Sequence, residues 1–521
     1  MAGLRTAGAV ERYLAFDLGA ESGRVMAAAF DGERLAFEEV HRFPNGPVRV
    51  PLPAAPPGAP QEALYWDALA LWREMKDGAA KFRATLGPPA SLGIDAWGVD
   101  YALLGADGAL LANPHNYRDP RTDGMLEAAF ARVPRREIFE RTGIQFLQIN
   151  TLFQLLASTR HGSPALAAAR TLLMIPDLFA YWLTGRVACE FTDATTTQAY
   201  DPCAGAWATD LLDRLGIRSD LFPPVVPPGT PLGTVLPAVA DEIGLPRSTP
   251  VTAVASHDTG SAVAAVPARR DMHRSGDGDK AFAYVSSGTW SLVGGEVPEP
   301  VITPEALDYN FTNEGGVGGF RLLKNVMGLW LVQECRRTWR ERGDDRSYAA
   351  LSDLAAGARP FAALVDPDDA AFLTPGDMPR RLAGFVARTG QPPLDPADEG
   401  QVVRCALESL ALTYRWVIER LERLVGRGVD VIYVVGGGSQ NALLNQFTAD
   451  ACDRPVEAGP AEATALGNAV VQAMARGRLG TLQEGRDVIR RSFPPAAFEP
   501  RAPRAWDEAY GRFQELLGRP P

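Results

Sequence analysis

The chain has 521 residues, 46% hydrophobic and 22% charged, with a formal net charge of −11. That length exceeds one hydrophobic core and suits two or more domains of ordinary globular composition. The negative balance argues against nucleic acid or an anionic membrane as partner, since both need a basic surface.

Five cysteines lie far apart at Cys189, Cys203, Cys335, Cys405 and Cys452, none with metal-ligand or redox spacing. They read as free thiols in a reducing compartment. The first dozen residues hold no long apolar region, and the best apolar run, 171–185, is broken by Pro176 and Asp177. Neither a secretory signal nor a membrane span is expected, so the cytoplasm is the default.

Taken in chain order, YLAFDLG (13–19), GRVMAAAF (23–30) and RLAFEEVHRF (34–43) read as three strands, with Asp31-Gly32 as a hairpin turn. The Pro-rich stretch 50–60 is excluded from any central strand. Residues 62–87 carry apolar side chains at helical spacing. SLGIDAWGVDYALL (91–104) returns to sheet and turns at 105–108, and 135–184 is mostly helical in pattern. After a Pro-rich connector at 221–233, TPVTAVASHD (249–258) reads as a strand.

The second half starts over. FAYVSSGTWSLVGG (282–295) is again strand, Gly turn and strand. Residues 324–334 read as a helix, 399–428 as a long amphipathic helix, and VDVIYVVGGGSQN (429–441) as a buried strand entering a glycine loop. ATALGNAVVQAMARGRL (463–479) is a helix with small residues on one side. Two halves built alike predict a duplicated α/β architecture with a cleft between them. The boundaries expected are 10–253 for the first domain, 254–495 for the second and 496–521 for a tail.

Three glycine-containing turns attract notice. In DLGAESGRV (17–25) a turn with positive φ at Gly19 would line up backbone N–H groups against an anion, and Arg24 offers a bidentate donor. Asp17, at the strand end, is placed to hold Mg²⁺ through water. A plain hairpin with a surface arginine gives the same pattern. In SSGTWS (286–291) the hydroxyls of Ser286, Ser287 and Thr289 either face a phosphate or bond the local backbone. GGGSQN (436–441) follows a buried strand, where α/β proteins bring backbone close to a nucleotide, yet it matches neither dinucleotide nor Walker spacing.

One carboxylate stands out for chemistry. Asp258, in VASHDTGSA, follows an apolar strand and precedes small residues. It serves either as a base for an alcohol proton or as the N-cap of a helix. Trp97 and Gly98 offer a flat face and a close backbone approach to a sugar ring, or simply a buried tryptophan in a sheet. KNVMGLWLVQE (324–334) places Asn325 and Gln333 on a segment otherwise built largely of core residues. Neither a metal cluster nor a Ser-His-Asp or Cys-His arrangement is evident.

These motifs, with TGIQFLQINTLFQL (142–155), ATTTQ (194–198), TNEGG (312–316), LLKNVMGLWL (322–331) and AEATALGNA (461–469), resemble the FGGY carbohydrate kinases of the actin-like ATPase superfamily over nearly the whole chain. The resemblance implies two ribonuclease-H-like domains closing on a cleft, as a monomer or small homo-oligomer. The HDT, KNVMGLW and TNEGG runs are similar to the branch of that family acting on L-rhamnulose. It implies ATP-dependent phosphorylation of that sugar at C1, with another ketose or polyol as the alternative substrate. Asp258 is then the base, and Gly98, His257, Asp258, Thr259 and Asn325 line the sugar site. Ala20, Glu21, Ser22, Gly23, Arg24, Thr289, Gln333 and Gly437 contact ATP, and Asp17 organises Mg²⁺. Glu21 stands where some relatives have serine.

Overall fold

A computed structural model describes residues 10–53, 60–269, 281–501 and 503–518. The extreme N-terminus and residues 54–59 of the Pro-rich stretch lie outside the described residues. The chain divides into two units that are not collinear with it. The first holds residues 1–265, 297–322 and 463–492, and the second holds 266–296, 323–462 and 493–521. Asp258 therefore packs with the first unit, and so does the helix at 463–475.

In the first unit apolar strands assemble a six-stranded sheet. Its order is Thr230–Thr234, Pro250–Ala253, Ser91–Ala96, Glu11–Leu18, Ser22–Phe30 and Leu35–Pro44. Pro250–Ala253, Ser91–Ala96 and Glu11–Leu18 run parallel, and the outer strands are antiparallel to their neighbours. Parallel central strands are buried on both faces and so read as continuous apolar runs. Ser91–Ala96 is buried at every position. The helices Ala68–Leu86 and Ile175–Thr184 supply Met75, Phe82, Leu178 and Phe179 to the core of this unit.

The second unit repeats the scheme. Trp290–Val297, Phe282–Ser287, Val431–Val435, Val456–Ala458 and Ala496–Phe498 lie side by side in that order. Phe282–Ser287, Val431–Val435 and Val456–Ala458 are parallel, and the flanking Trp290–Val297 and Ala496–Phe498 are antiparallel. The architecture is α/β with two domains, consistent with the actin-like ATPase fold.

Several local expectations are corrected. Residues 62–65 are not helical: Glu62–Tyr65 pairs antiparallel with Val48–Pro51. The helix starts at Ala68, where the Asp67 carboxylate caps it by accepting from the Ala70 amide. The strand expected to reach residue 258 ends at Ala253. Beyond it the Glu190 carboxylate takes the Ser256 amide at 2.9 Å and hydroxyl at 2.8 Å, and Asp258 opens a helix to Ala264. Asn325 lies on a strand rather than a helix, because Phe320–Met327 is extended and the helix begins at Trp330. The segment taken as a tail contains a sheet-edge strand and the helix Pro503–Leu516, which buries Trp506 and Phe513.

Candidate active site

The two central strands of the first sheet carry aspartates in register. Asp17 pairs with Asp95 across parallel strands, and Arg24 stands opposite Asp17 in the hairpin. Ala96 bridges His257 and donates its amide to the Ser256 carbonyl at 2.8 Å. Asp17, Asp95, His257 and Asp258 thus gather at the carboxyl ends of parallel strands, where open α/β sheets bind their ligands.

The opening turn is built by close packing rather than by positive φ. Gly19 does not adopt the left-handed region, contrary to expectation, and a Cβ there would lie 3.0 Å from the Ser22 carbonyl oxygen. A Cβ on Gly23 would enter the Phe43 ring at 2.2 Å. Asn45 pins the turn by donating its side-chain amide to the Gly19 carbonyl at 2.8 Å. Glu21 is exposed at the tip, whereas Ala20 and Ser22 are half-buried. Arg24 donates to the Asp17 carboxylate at 2.5 Å, so its guanidinium is engaged by the residue expected to organise the metal.

Burial pushes the Asp95 carboxyl well above the usual carboxylate range, and the negative Asp17 and Asp258 add to the shift. The Asn468 amide opposes it by donating at 2.6 Å. The Asp258 carboxyl, with its side chain a third exposed, is also raised. Burial is the main cause; His257 opposes it, Asp17 adds to it, and hydrogen bonds from Thr259 oppose it. The N-cap of this helix is His257, without a side-chain cap bond, so the carboxylate of Asp258 is not occupied as the cap. It accepts from the Thr259 amide at 2.5 Å and hydroxyl at 3.2 Å.

Gly98 lies beside this group. A Cβ there would sit 3.0 Å from Thr196 Cγ2 and 3.3 Å from His257 Cδ2. The Asp100 amide donates to the Gly98 carbonyl at 2.9 Å, closing a γ-turn on Val99, whose φ is +66°. Thr196 donates nothing to this turn but accepts from the Val99 amide, and Thr151 and Gln154 donate to the Val99 carbonyl. A branched residue at positive φ persists only where its surroundings over-determine it, as these bonds do. Trp97 is not a platform for a ligand. It is buried, its ring centroid 4.1 Å from that of Trp66 with the planes tilted by 37°, and both indole N–H groups donate to Asp100. Burial raises the Asp100 carboxyl to about 6 against those bonds.

The second unit gathers the other candidates. Parallel pairing of Ser286 with Val435 brings the turn at 287–290 beside the glycine loop. The Thr289 carbonyl accepts from the amides of Gly328 and Trp330, which seats the turn against the start of the Gln333 helix. Gly436 has φ +82°, and a Cβ on Gly438 would fall 1.9 Å from Ser287 Oγ, so these glycines let the loop close onto the turn. Around Gly437 a Cβ would meet open space. The Ser287 hydroxyl is buried against Gly438, and that of Ser291 bonds Tyr414 at 2.7 Å. Asn325 is half-buried on its strand.

Residues 12–265 match the N-terminal domain, and residues 283–476 the C-terminal domain, of the FGGY family of carbohydrate kinases. The chain belongs to this family. The rhamnulokinase of Bacteroides thetaiotaomicron is 45% identical over 509 residues, covering 97% of this chain and 99% of that protein. The rhamnulokinase of Pectobacterium carotovorum is 41% identical over 511 residues, covering 98% and 97%. Among solved structures, gluconate kinase from Lactobacillus acidophilus has a TM-score of 0.75 at 16% identity, covering 98% and 96%. As an FGGY carbohydrate kinase the chain is a phosphotransferase using ATP and a sugar.

Reading the sequence missed the side chains that surround His257 in the first unit. Arg321 and Glu314 lie beside the His257 ring, the Thr192 hydroxyl accepts the His257 amide, and the Glu190 carboxylate accepts the Ser256 amide before it. ATTTQ and TNEGG stood out as motifs, but nothing in their spacing tied them to His257. Among the described residues no helix is long and apolar enough to cross a membrane.

Proposed function

We propose that the chain transfers the γ-phosphoryl group of ATP to the C1 hydroxyl of L-rhamnulose, giving L-rhamnulose 1-phosphate in cytoplasmic L-rhamnose breakdown. The observation that carries the chemistry is Asp258, partly exposed at the carboxyl end of the sheet with its proton affinity raised. The acceptor's identity follows from near-full-length similarity to proteins named rhamnulokinase.

Phosphoryl transfer asks little covalent work of the protein. Positioning and charge stabilisation dominate, and the hydroxyl proton needs an acceptor. Asp258 Oδ takes that proton, and a raised affinity makes it a better base than an exposed aspartate. Gly98, His257, Thr259 and Asn325 hold the ketose. Residues 20–24, Thr289, Gln333 and Gly437 contact ATP. Among the described residues no three His, Cys, Asp or Glu side chains form a metal-holding group. Mg²⁺ keeps most of its waters and needs only one or two carboxylates, and Asp17 at its strand end would supply one. When bound, the ion neutralises charge on the phosphoryl oxygens.

A panel of ketoses and polyols assayed with ATP for ADP release tests the reading. L-Rhamnulose should give the highest kcat/KM, and Asp258→Asn should bind ATP yet lose turnover by about 100-fold or more. A different preferred sugar overturns the acceptor, and near-normal turnover of the variant overturns the base.

A further inference from the structure

Arg321 is fully buried, which is rare for a guanidinium and costly unless its donors are used. Its Nε donates to the Gly315 carbonyl at 2.7 Å. Its Nη2 lies 3.1 Å from His257 Nδ1 and 3.1 Å from Glu314 Oε2. Glu314 Oε2 is itself 3.3 Å from His257 Nδ1, while His257 Nε2 lies 3.4 Å from Asp258 Oδ1. The His257 backbone is fixed separately, its amide donating to the Thr192 hydroxyl at 3.1 Å.

A guanidinium has donors only, so the ring nitrogen beside it must accept. The tautomer of an imidazole is set by the partner of its other nitrogen. We propose that Arg321, with Glu314 balancing its charge, is a positioning residue that holds His257 as the Nε2–H tautomer. That N–H then points at Asp258 and orients the carboxylate for the acceptor hydroxyl. This rests on the reading of Asp258 as base. Without the guanidinium nothing donates to Nδ1, and the ring proton is no longer confined to Nε2. In the Nδ1–H form the Nε2 lone pair faces the Asp258 carboxylate and repels it.

The test uses the full-length protein with ¹⁵N-labelled histidine, the His257 signal being assigned by its absence in His257→Gln. The unsubstituted protein should show a protonated Nε2 and an unprotonated Nδ1; a protonated Nδ1 overturns the proposal without any variant. Arg321→Met/Glu314→Met removes both buried charges, a change that is often neutral for stability. It should fold, lose the defined tautomer, keep its KM for ATP, and show kcat lowered about 10- to 100-fold. Arg321→Lys keeps a donor beside Nδ1 and should recover most of kcat. Unchanged kcat in the folded double variant, or Arg321→Lys as impaired as that variant, overturns the proposal. If Asp258→Asn is inactive while the double variant is not, the base stands and the positioning role alone fails. If Asp258→Asn turns over normally, the base reading itself fails.

Discussion

Replacing Gly467 by alanine asks whether helix packing holds the base. Gly467 lies in the helix Ala463–Ala475, which packs on the helix Asp258–Ala264. A Cβ there would fall 1.8 Å from the Ser261 carbonyl oxygen and 2.6 Å from its carbon, both backbone atoms. Relieving the first contact to 3.0 Å requires the helices to part by 1.2 Å (3.0 − 1.8). Helix propensity favours alanine by about 1 kcal/mol. Overpacking against backbone that cannot rotate away costs about 1–3 kcal/mol. The steric cost is the larger, and a net loss of up to about 2 kcal/mol follows. Ser261 is one turn from Asp258, so the carboxylate moves with it. A displacement of about 1 Å at a reacting group lowers kcat by up to about 100-fold. Urea unfolding and steady-state kinetics with L-rhamnulose and ATP measure both effects. A variant as stable as the parent and as fast would refute the idea that this contact sets the position of the base.

Two pH effects complete the predictions. Asp258 must be ionised to accept a proton, and its carboxyl is raised in the folded protein. kcat should therefore fall with acid along a one-proton limb lying above the ordinary aspartate value of about 3.9, and a limb at or below that value contradicts the assignment. Asp177 is raised by burial to about 8, with Glu190 adding to the shift and Cys189 opposing it. A folded pKa above the unfolded one contributes stability that is complete below the unfolded value and lost as pH rises through the folded one. Stability should decline by a few kcal/mol between pH 4 and 8. Asp177→Asn, which keeps an oxygen for the Glu190 amide at Asp177 Oδ1, should flatten that decline in denaturant titrations.

The duplicated sheet was legible because each half opens on a local hairpin, and hairpins declare themselves by apolar runs around a turn. Glycine loops were legible as places, though not in mechanism: Gly23 is required by the Phe43 ring and Gly438 by Ser287, neither of which is a sequence neighbour. Asn325 lies on a strand where the sequence suggests a helix, because KNVMGLW is short and apolar, with no period to separate the two. Where the polypeptide changes units was not legible either. What ties residues 463–492 to the first unit is contact between Gly467 and Ser261, and hydrogen bonds from Asn468 to Asp95 and Gln472 to the Leu14 carbonyl. Such pairings leave no trace in local pattern.

The electrostatics of the site follow from that register. Parallel pairing sets Asp17 against Asp95, and the bridge from Ala96 to His257 brings Asp258 to the same strand ends. Burial is the main cause of the raised carboxyls of Asp95 and Asp258, and the negative charge of Asp17 adds to both. Each is answered by a different partner: Arg24 at Asp17, Asn468 at Asp95, His257 and Thr259 at Asp258. The answers are unequal in kind. Arg24 brings a full charge, whereas Asn468 brings only a dipole to a group sealed from water. Asp258, with water at one side and a histidine at the other, is the carboxylate of the three that both reaches solvent and holds a raised affinity for a proton. That combination is what a base for a sugar hydroxyl requires.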